Sequence, residues 1–227
     1  MLANRLQAGE LMDDPALDAG TYRAVLHDLA KVNRVTFAYR PTLDFLDRAV
    51  GPDRTLRLLD VGFGDGDMLR RIVRWAKARG VSAELTGIDL NPRSVAAALE
   101  TPSPTPIRYL AGDYAELAGE RFDCVISSLV AHHMSHDQLV AFLRFMDRES
   151  ARGWFVNDLR RNGFAHAAFP LLASMMGWHR IVRLDGVTSI ARSFRADEWP
   201  PLLAEAEVED ARVRNCFPFR LCVEKIH

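Results

Sequence analysis

Apolar positions along the chain first recur at helical spacing and then fall into short runs that alternate with helical segments. Residues 16–49 read as two helices broken near Pro41, with Leu26, Leu29 and Val32 on one face of the first and Leu43, Leu46 and Val50 on the second. Residues 56–61 form a short apolar strand, followed by a glycine-rich turn. A helix comes next, with Leu69, Ile72, Val73 and Ala76 on one face, and Gly80 ends it as glycine commonly does. The same alternation repeats. Residues 83–88 are a second strand, Asn91 and Pro92 supply a cap and a first-turn proline, and the helix runs through Leu99. After the proline-rich loop at 101–106 come strands at 107–111 and 122–128. Ser135 and Gln138 then form a capping box before Leu139, Phe142, Leu143 and Met146, and residues 154–158 make a fifth strand. A helix near 197–206 precedes two strands, 208–215 and 219–226, with only a short turn between them.

Repeated strand–helix alternation predicts an α/β fold, with a mostly parallel sheet covered on both faces and ligands beyond the carboxyl ends of the strands. The last two strands predict an antiparallel hairpin, making seven strands in all. Residues 1–50 read as an N-terminal helical extension and 51–227 as the main domain, with a helical lid at about 160–185. The formal charge of −1 gives no global positive field, which argues against a nucleic-acid partner. Arg70, Arg71, Arg74, Lys77 and Arg79 read as the solvated face of a helix. Cys124, Cys216 and Cys222 have neither zinc-site nor redox spacing, and the N-terminus lacks the apolar run of a signal peptide, so a cytoplasmic location is expected, with no integral membrane segment.

The most specific motif is Leu59-Asp60-Val61-Gly62-Phe63-Gly64-Asp65-Gly66, which leaves a strand and enters a helix. Glycines there let the backbone turn tightly and approach a ligand. A dinucleotide fingerprint would place its third glycine where Asp67 stands. An acidic Asp60 also suits a cationic amino group better than a pyrophosphate. Together with Asp89 after the second strand and Asp113-Tyr114 after the third, this motif resembles the class I S-adenosylmethionine-dependent methyltransferases, within them bacterial small-molecule enzymes of polyketide and phenolic pathways.

The resemblance implies a Rossmann-like doubly wound fold and S-adenosylmethionine as cofactor, with S-adenosylhomocysteine as its product. It assigns the methionine portion to Asp60, Gly62, Gly64 and Gly66, the ribose to Asp89 with Leu90 beside it, and the adenine to Asp113 and Tyr114. Ser128 and Leu129 would lie near the cofactor, and His132 or His133, with His133 preferred, would face the acceptor as a general base near neutral pH. Asn157, Asp158 and His166 are the candidate polar contacts to substrate, and the apolar segment 164–178 its cover. His132 and His136 have the spacing of a helical metal pair, but Ser135 starts the helix between them, so no metal is expected. The expected activity is O-methylation of an aromatic or apolar small molecule by in-line displacement. Carbon or nitrogen acceptors, a cofactor-binding partner without turnover, and a dinucleotide-dependent oxidoreductase are the alternatives. Oligomeric state, acceptor and pathway are left open.

Overall fold

A computed structural model describes residues 2–52 and 54–227. Its centre is a seven-stranded sheet made of β1 (Thr55–Val61), β2 (Ser82–Asp89), β3 (Ile107–Ala111), β4 (Phe122–Ser128), β5 (Ser150–Leu159), β6 (Arg212–Cys216) and β7 (Arg220–Ile226), in the order β3-β2-β1-β4-β5-β7-β6. Strands β3 to β5 of that order are parallel, whereas β7 runs antiparallel to both β5 and β6. The order reverses between β1 and β4, the switch point beyond which ligands bind in such sheets.

The helices are α1 (Ala19–Val35), α2 (Tyr39–Ala49), α3 (Asp67–Arg79), α4 (Pro92–Leu99), α5 (His136–Glu149), α6 (Gly163–Met175), α7 (Arg180–Arg192) and α8 (Trp199–Glu205). Alternation along each strand divides the core. Leu58, Cys124, Ile126 and Phe155 point into a layer with Phe45 of α2 and Leu69, Ile72 and Trp75 of α3. Leu59, Val125, Trp154 and Val156 point the other way, against Leu139, Phe142 and Leu143 of α5 and Trp199 and Leu202 of α8. A third cluster, of Val25, Val32, Ala173, Trp178 and Val182, fastens α1 to the pair α6 and α7, so the first helix and the late helices form one cap over the sheet. Before α1, the chain lies on α7 as a strap. Leu6 N–H donates to Ala191 O, and the N–H groups of Leu11 and Met12 donate to the carboxylate of Asp185, both at 2.9 Å.

Several boundaries differ from expectation, each for a local reason. The first two helices separate at Phe37, which has a φ of 52°, and not at Pro41, which lies inside the first turn of α2 where a missing N–H costs no helix bond. Strand β5 starts at Ser150, four residues early, because Gly153 adopts a φ of 147° with a β-carbon position only 2.3 Å from Lys225 O, and so carries the strand past its antiparallel neighbour. Val208 is no strand residue; it is buried against the α5–α8 layer after α8 ends, and β6 begins only at Arg212. The cap reaches Arg192 rather than ending near 185, since Gly186 sits inside α7 where the Phe169 ring leaves no space for a side chain. At Arg195, where a small hydroxyl residue would make the better cap, Glu198 caps instead by accepting from Arg195 N–H at 2.7 Å.

Asn157, expected to meet substrate, is spent on the fold. Its side chain is fully buried and donates to Ala38 O at 2.7 Å and Thr42 Oγ1 at 3.1 Å, which ties the start of α2 to the end of β5. Asn157→Ala strands these buried partners and should cost about 1–3 kcal/mol of stability, read as a lower urea midpoint with an unchanged slope.

Candidate active site

Beyond the carboxyl ends of β1, β2 and β4 lies a cavity of about 850 Å³, walled by the sheet edge below and by the α1, α6 and α7 cap above. That is near the upper end for a small-molecule site and leaves room for two ligands. Its sheet end is polar. Asp60 leaves β1 with its side chain buried, and Oδ1 has no hydrogen-bond partner. Burial, then the nearby carboxylates of Asp67 and Asp89, push its pKa well above the usual range, and no described cation pairs with it.

The turn after Asp60 brings backbone to the same place. Gly62 (φ 78°) approaches Val130 so closely that a β-carbon would lie 2.3 Å from its Cγ2. Gly64 (φ 58°) donates its N–H to Asp89 Oδ2 at 2.9 Å, and Asn91 N–H donates to Asp89 Oδ1 at 2.8 Å. Each carboxylate oxygen can accept a second bond, so Asp89 keeps capacity for a ligand. Leu90, 76% exposed, and Tyr114, held against Phe142 and Phe145, complete this wall. On β4 the Ser128 hydroxyl is buried and unpartnered, and Leu129 holds a φ of 62°, a strained backbone state for a side chain of its kind.

Not every expected residue arrives. Gly66 caps α3 and packs against Tyr109, whose hydroxyl would stand 2.5 Å from an added β-carbon, and it does not line the cavity. Asp113 faces away too; its carboxylate accepts Ala115 N–H at 2.9 Å and caps a short turn, leaving neighbouring Gly112 and Tyr114 on the wall. Asp158 is buried behind the wall, and His166 lies on α6 off the cavity, so neither touches its contents.

The task of Asp158 is to hold His132. One oxygen accepts His132 N–H at 2.9 Å and the other meets Nδ1 at 2.7 Å. Burial alone would lower the His132 pKa, but Asp158 and Glu10 on opposite edges of the ring outweigh it and raise it to about 9. His132 is therefore charged at neutral pH and is not the proton acceptor that its sequence position suggested. His133 stands beside it, rings 4.3 Å apart, with its side chain 29% exposed on the cavity wall. Sequence reasoning missed Glu10, Asp13 and Asp185, because nothing near residue 10 signals that the strap will end against a loop more than a hundred residues away. The far end of the cavity is apolar, with Val25, Leu29, Phe164, Phe169, Leu172 and Phe219.

A methyltransferase domain family matches residues 58–153. No curated protein matches the chain in sequence. Solved structures do. A plantazolicin methyltransferase, BpumL, in complex with S-adenosylhomocysteine is 15% identical over 94% of this chain and 91% of that one, with a TM-score of 0.65. Human N-acetylserotonin methyltransferase in complex with S-adenosylmethionine is 18% identical over 91% of this chain and 56% of that one, with a TM-score of 0.63. An S-adenosylmethionine-dependent methyltransferase from Aquifex aeolicus is 16% identical over 92% and 98%, with a TM-score of 0.62. At these identities the likeness is one of fold.

Two stability measurements test the site. A carboxyl group whose folded pKa is raised loses stability as pH climbs from its unfolded value of about 3.9, so Asp60→Asn should stabilise the ligand-free protein at pH 7 by about 1–3 kcal/mol. For His132 the raised pKa contributes stability fully below about pH 6.5, and this is lost as pH rises through about 9. Urea midpoints should fall across that window in the parent, and His132→Asn, though less stable throughout, should show a flatter profile.

Proposed function

We propose that this chain, whose residues 58–153 match a methyltransferase domain family, is a class I methyltransferase that binds S-adenosylmethionine and methylates a hydroxyl of an apolar or aromatic small molecule. The observation that carries this reading is the buried, unpartnered Asp60 carboxylate on the cavity wall next to the Gly62–Gly64 backbone and Asp89. An isolated buried carboxylate is costly, and it persists where a cation completes it. The ammonium of the cofactor's methionine portion is such a cation. Asp89 would hold the ribose hydroxyls through its spare lone pairs, Leu90 and Tyr114 would flank the adenine, and Ser128 and Leu129 would line the passage toward the acceptor. When bound, the cofactor supplies a methyl group already activated on a sulfonium.

The chain's own work is then positioning, dehydration and proton removal. The aromatic and aliphatic side chains of α1, α6 and α7 exclude water and favour an apolar acceptor. His133 accepts the hydroxyl proton. Glu10 Oε2 lies 3.7 Å from its Nε2 and Asp13 Oδ2 lies 3.3 Å from its Nδ1, so the imidazolium that forms has a carboxylate on either side. Charge and size disfavour a nucleic-acid substrate, and among the described residues no helix is long and apolar enough to cross a membrane.

Calorimetry with S-adenosylhomocysteine should show one tight site in the parent and at least about tenfold weaker binding to Asp60→Asn, the variant expected to be more stable when empty. NADH should not bind; tight binding of NADH alone would end the methyltransferase reading. A mass-spectrometric screen of phenols and hydroxyquinones with labelled cofactor should find a product heavier by one methyl group, and His133→Ala should slow its formation about 100-fold. Tight cofactor binding with no acceptor methylated would favour a binding protein without turnover.

A further inference from the structure

The strap residue Glu10 and the two adjacent imidazoles do more than surround a proton. We propose that Glu10, His132 and His133 form a binding site for a single divalent transition-metal ion, of the zinc class, at the acceptor end of the cavity. One ligand atom from each lies within 4.8 Å of the other two. His132 Nε2 is 3.5 Å from Glu10 Oε1, and His133 Nε2 is 3.7 Å from Glu10 Oε2. Both distances exceed the usual N–H···O range of about 2.7–3.2 Å. They end on the two different oxygens of the Glu10 carboxylate, so that an ion seated between the rings and the carboxylate needs only small side-chain shifts to reach the bond length of zinc to imidazole and carboxylate, about 2.0–2.2 Å. The His132 Nε2 atom is buried, aimed at this point and without a hydrogen-bond partner.

The surroundings have the form of a metal site's outer shell. Imidazole ligands commonly give their second ring N–H to a carboxylate, which fixes the tautomer and raises basicity. His132 does so here, Nδ1 to Asp158 at 2.7 Å, and His133 Nδ1 has the Asp13 carboxylate nearby at 3.3 Å. On metal binding the His132 Nε2 proton would be released, and the Nε2 lone pairs of both rings would then face Glu10. Charge agrees. Glu10, Asp13, Asp158 and Asp185 face this cluster, and Arg192, 3.4 Å from Glu10 Oε1, and Arg5, bonded to His132 O, offset only part of it. With both imidazoles neutral, a dication balances the remainder. Ser189 Oγ donates to Glu10 Oε1 at 2.9 Å and fixes the carboxylate that ligates. His136, whose spacing from His132 was set aside in the sequence because Ser135 starts a helix between them, meets Glu205 at 2.7 Å on the surface.

Two imidazoles and a carboxylate leave coordination positions open toward the cavity, the arrangement of a reactive rather than a purely structural site. An acceptor hydroxyl bound there would ionise more readily and give its proton to bulk water on binding, so with the ion in place His133 would serve as a ligand and not as the base.

The experiment uses the full chain, freed of metal by chelator and titrated with zinc chloride in a calorimeter without cofactor or acceptor, so that failure of methyl transfer leaves the result readable. One ion per chain is expected, with proton release seen as buffer-dependent heat and with cobalt giving the visible bands of a four- or five-coordinate site. Magnesium, which prefers oxygen ligands, should not compete. Glu10→Gln and His133→Gln, wall residues whose variants can be checked for folding by circular dichroism, should each weaken zinc binding at least 100-fold. Asp158→Asn should weaken it about 10–100-fold, and His136→Ala should leave it unchanged. No zinc uptake by the parent, or uptake that Glu10→Gln and His133→Gln leave unaltered, overturns the proposal and returns the cluster to a proton held between carboxylates.

Discussion

The chain leaves β1 toward β2 on one side of the sheet, and β4 lies against β1 from the other, so the loops after β1 and β4 meet at the switch point, Gly62 against Val130, with the cavity beyond that contact. At this end of the sheet several polar side-chain atoms are buried without hydrogen-bond partners. Asp60, Ser128 and His132 each present an unsatisfied buried atom here, whereas their neighbours Asn157 and Asp158 are fully bonded within the protein. Groups satisfied by the chain hold the fold, as Asn157 and Asp158 do.

The second half of the site depends on the cap. Alone, α6 and α7 would expose apolar surface on both sides. Packing against α1 through Val25, Val32, Trp178 and Val182 buries one side, while the other faces the cavity and keeps it dry. The strap then uses α7 as its bed, with Asp185 accepting two consecutive backbone N–H groups, and so carries Glu10 and Asp13 to the paired histidines. The active-site electrostatics are thus assembled from the first dozen residues, the loop after β4, the end of β5 and the cap. Breaking the strap would change the charge around His132 as surely as mutating Asp158.

Charge separates the two ends of the cavity. Near β1 and β2, three carboxylates face one another with no described cation between them, and burial pushes Asp60 toward its neutral form. Near the strap, carboxylates face imidazoles, and Glu10 is held below the usual carboxylate range because the two histidines outweigh its burial. One end is short of a positive charge and the other has already gathered some. A cationic cofactor and a less polar acceptor fit that division.

The amino-acid sequence by itself determined the strands, most of the helices, the glycine turn and the acidic residues that follow β1 and β2, because these depend on local periodicity, capping and backbone freedom over a few residues. The turn at Gly62 and Gly64 and the strand-end positions of Asp60 and Asp89 were legible for that reason, whereas Leu90, Tyr114, Ser128 and Leu129 were named only through the resemblance to class I methyltransferases; all of them line the cavity. Tertiary structure alone decided which polar side chains turn inward to the protein, as Asn157, Asp158 and Asp113 do, and which reach the cavity. It alone brought Glu10 to His132 and His133. Side-chain partners are set by packing between segments far apart in sequence, and the period of a helix or strand carries no information about what will lie across from it.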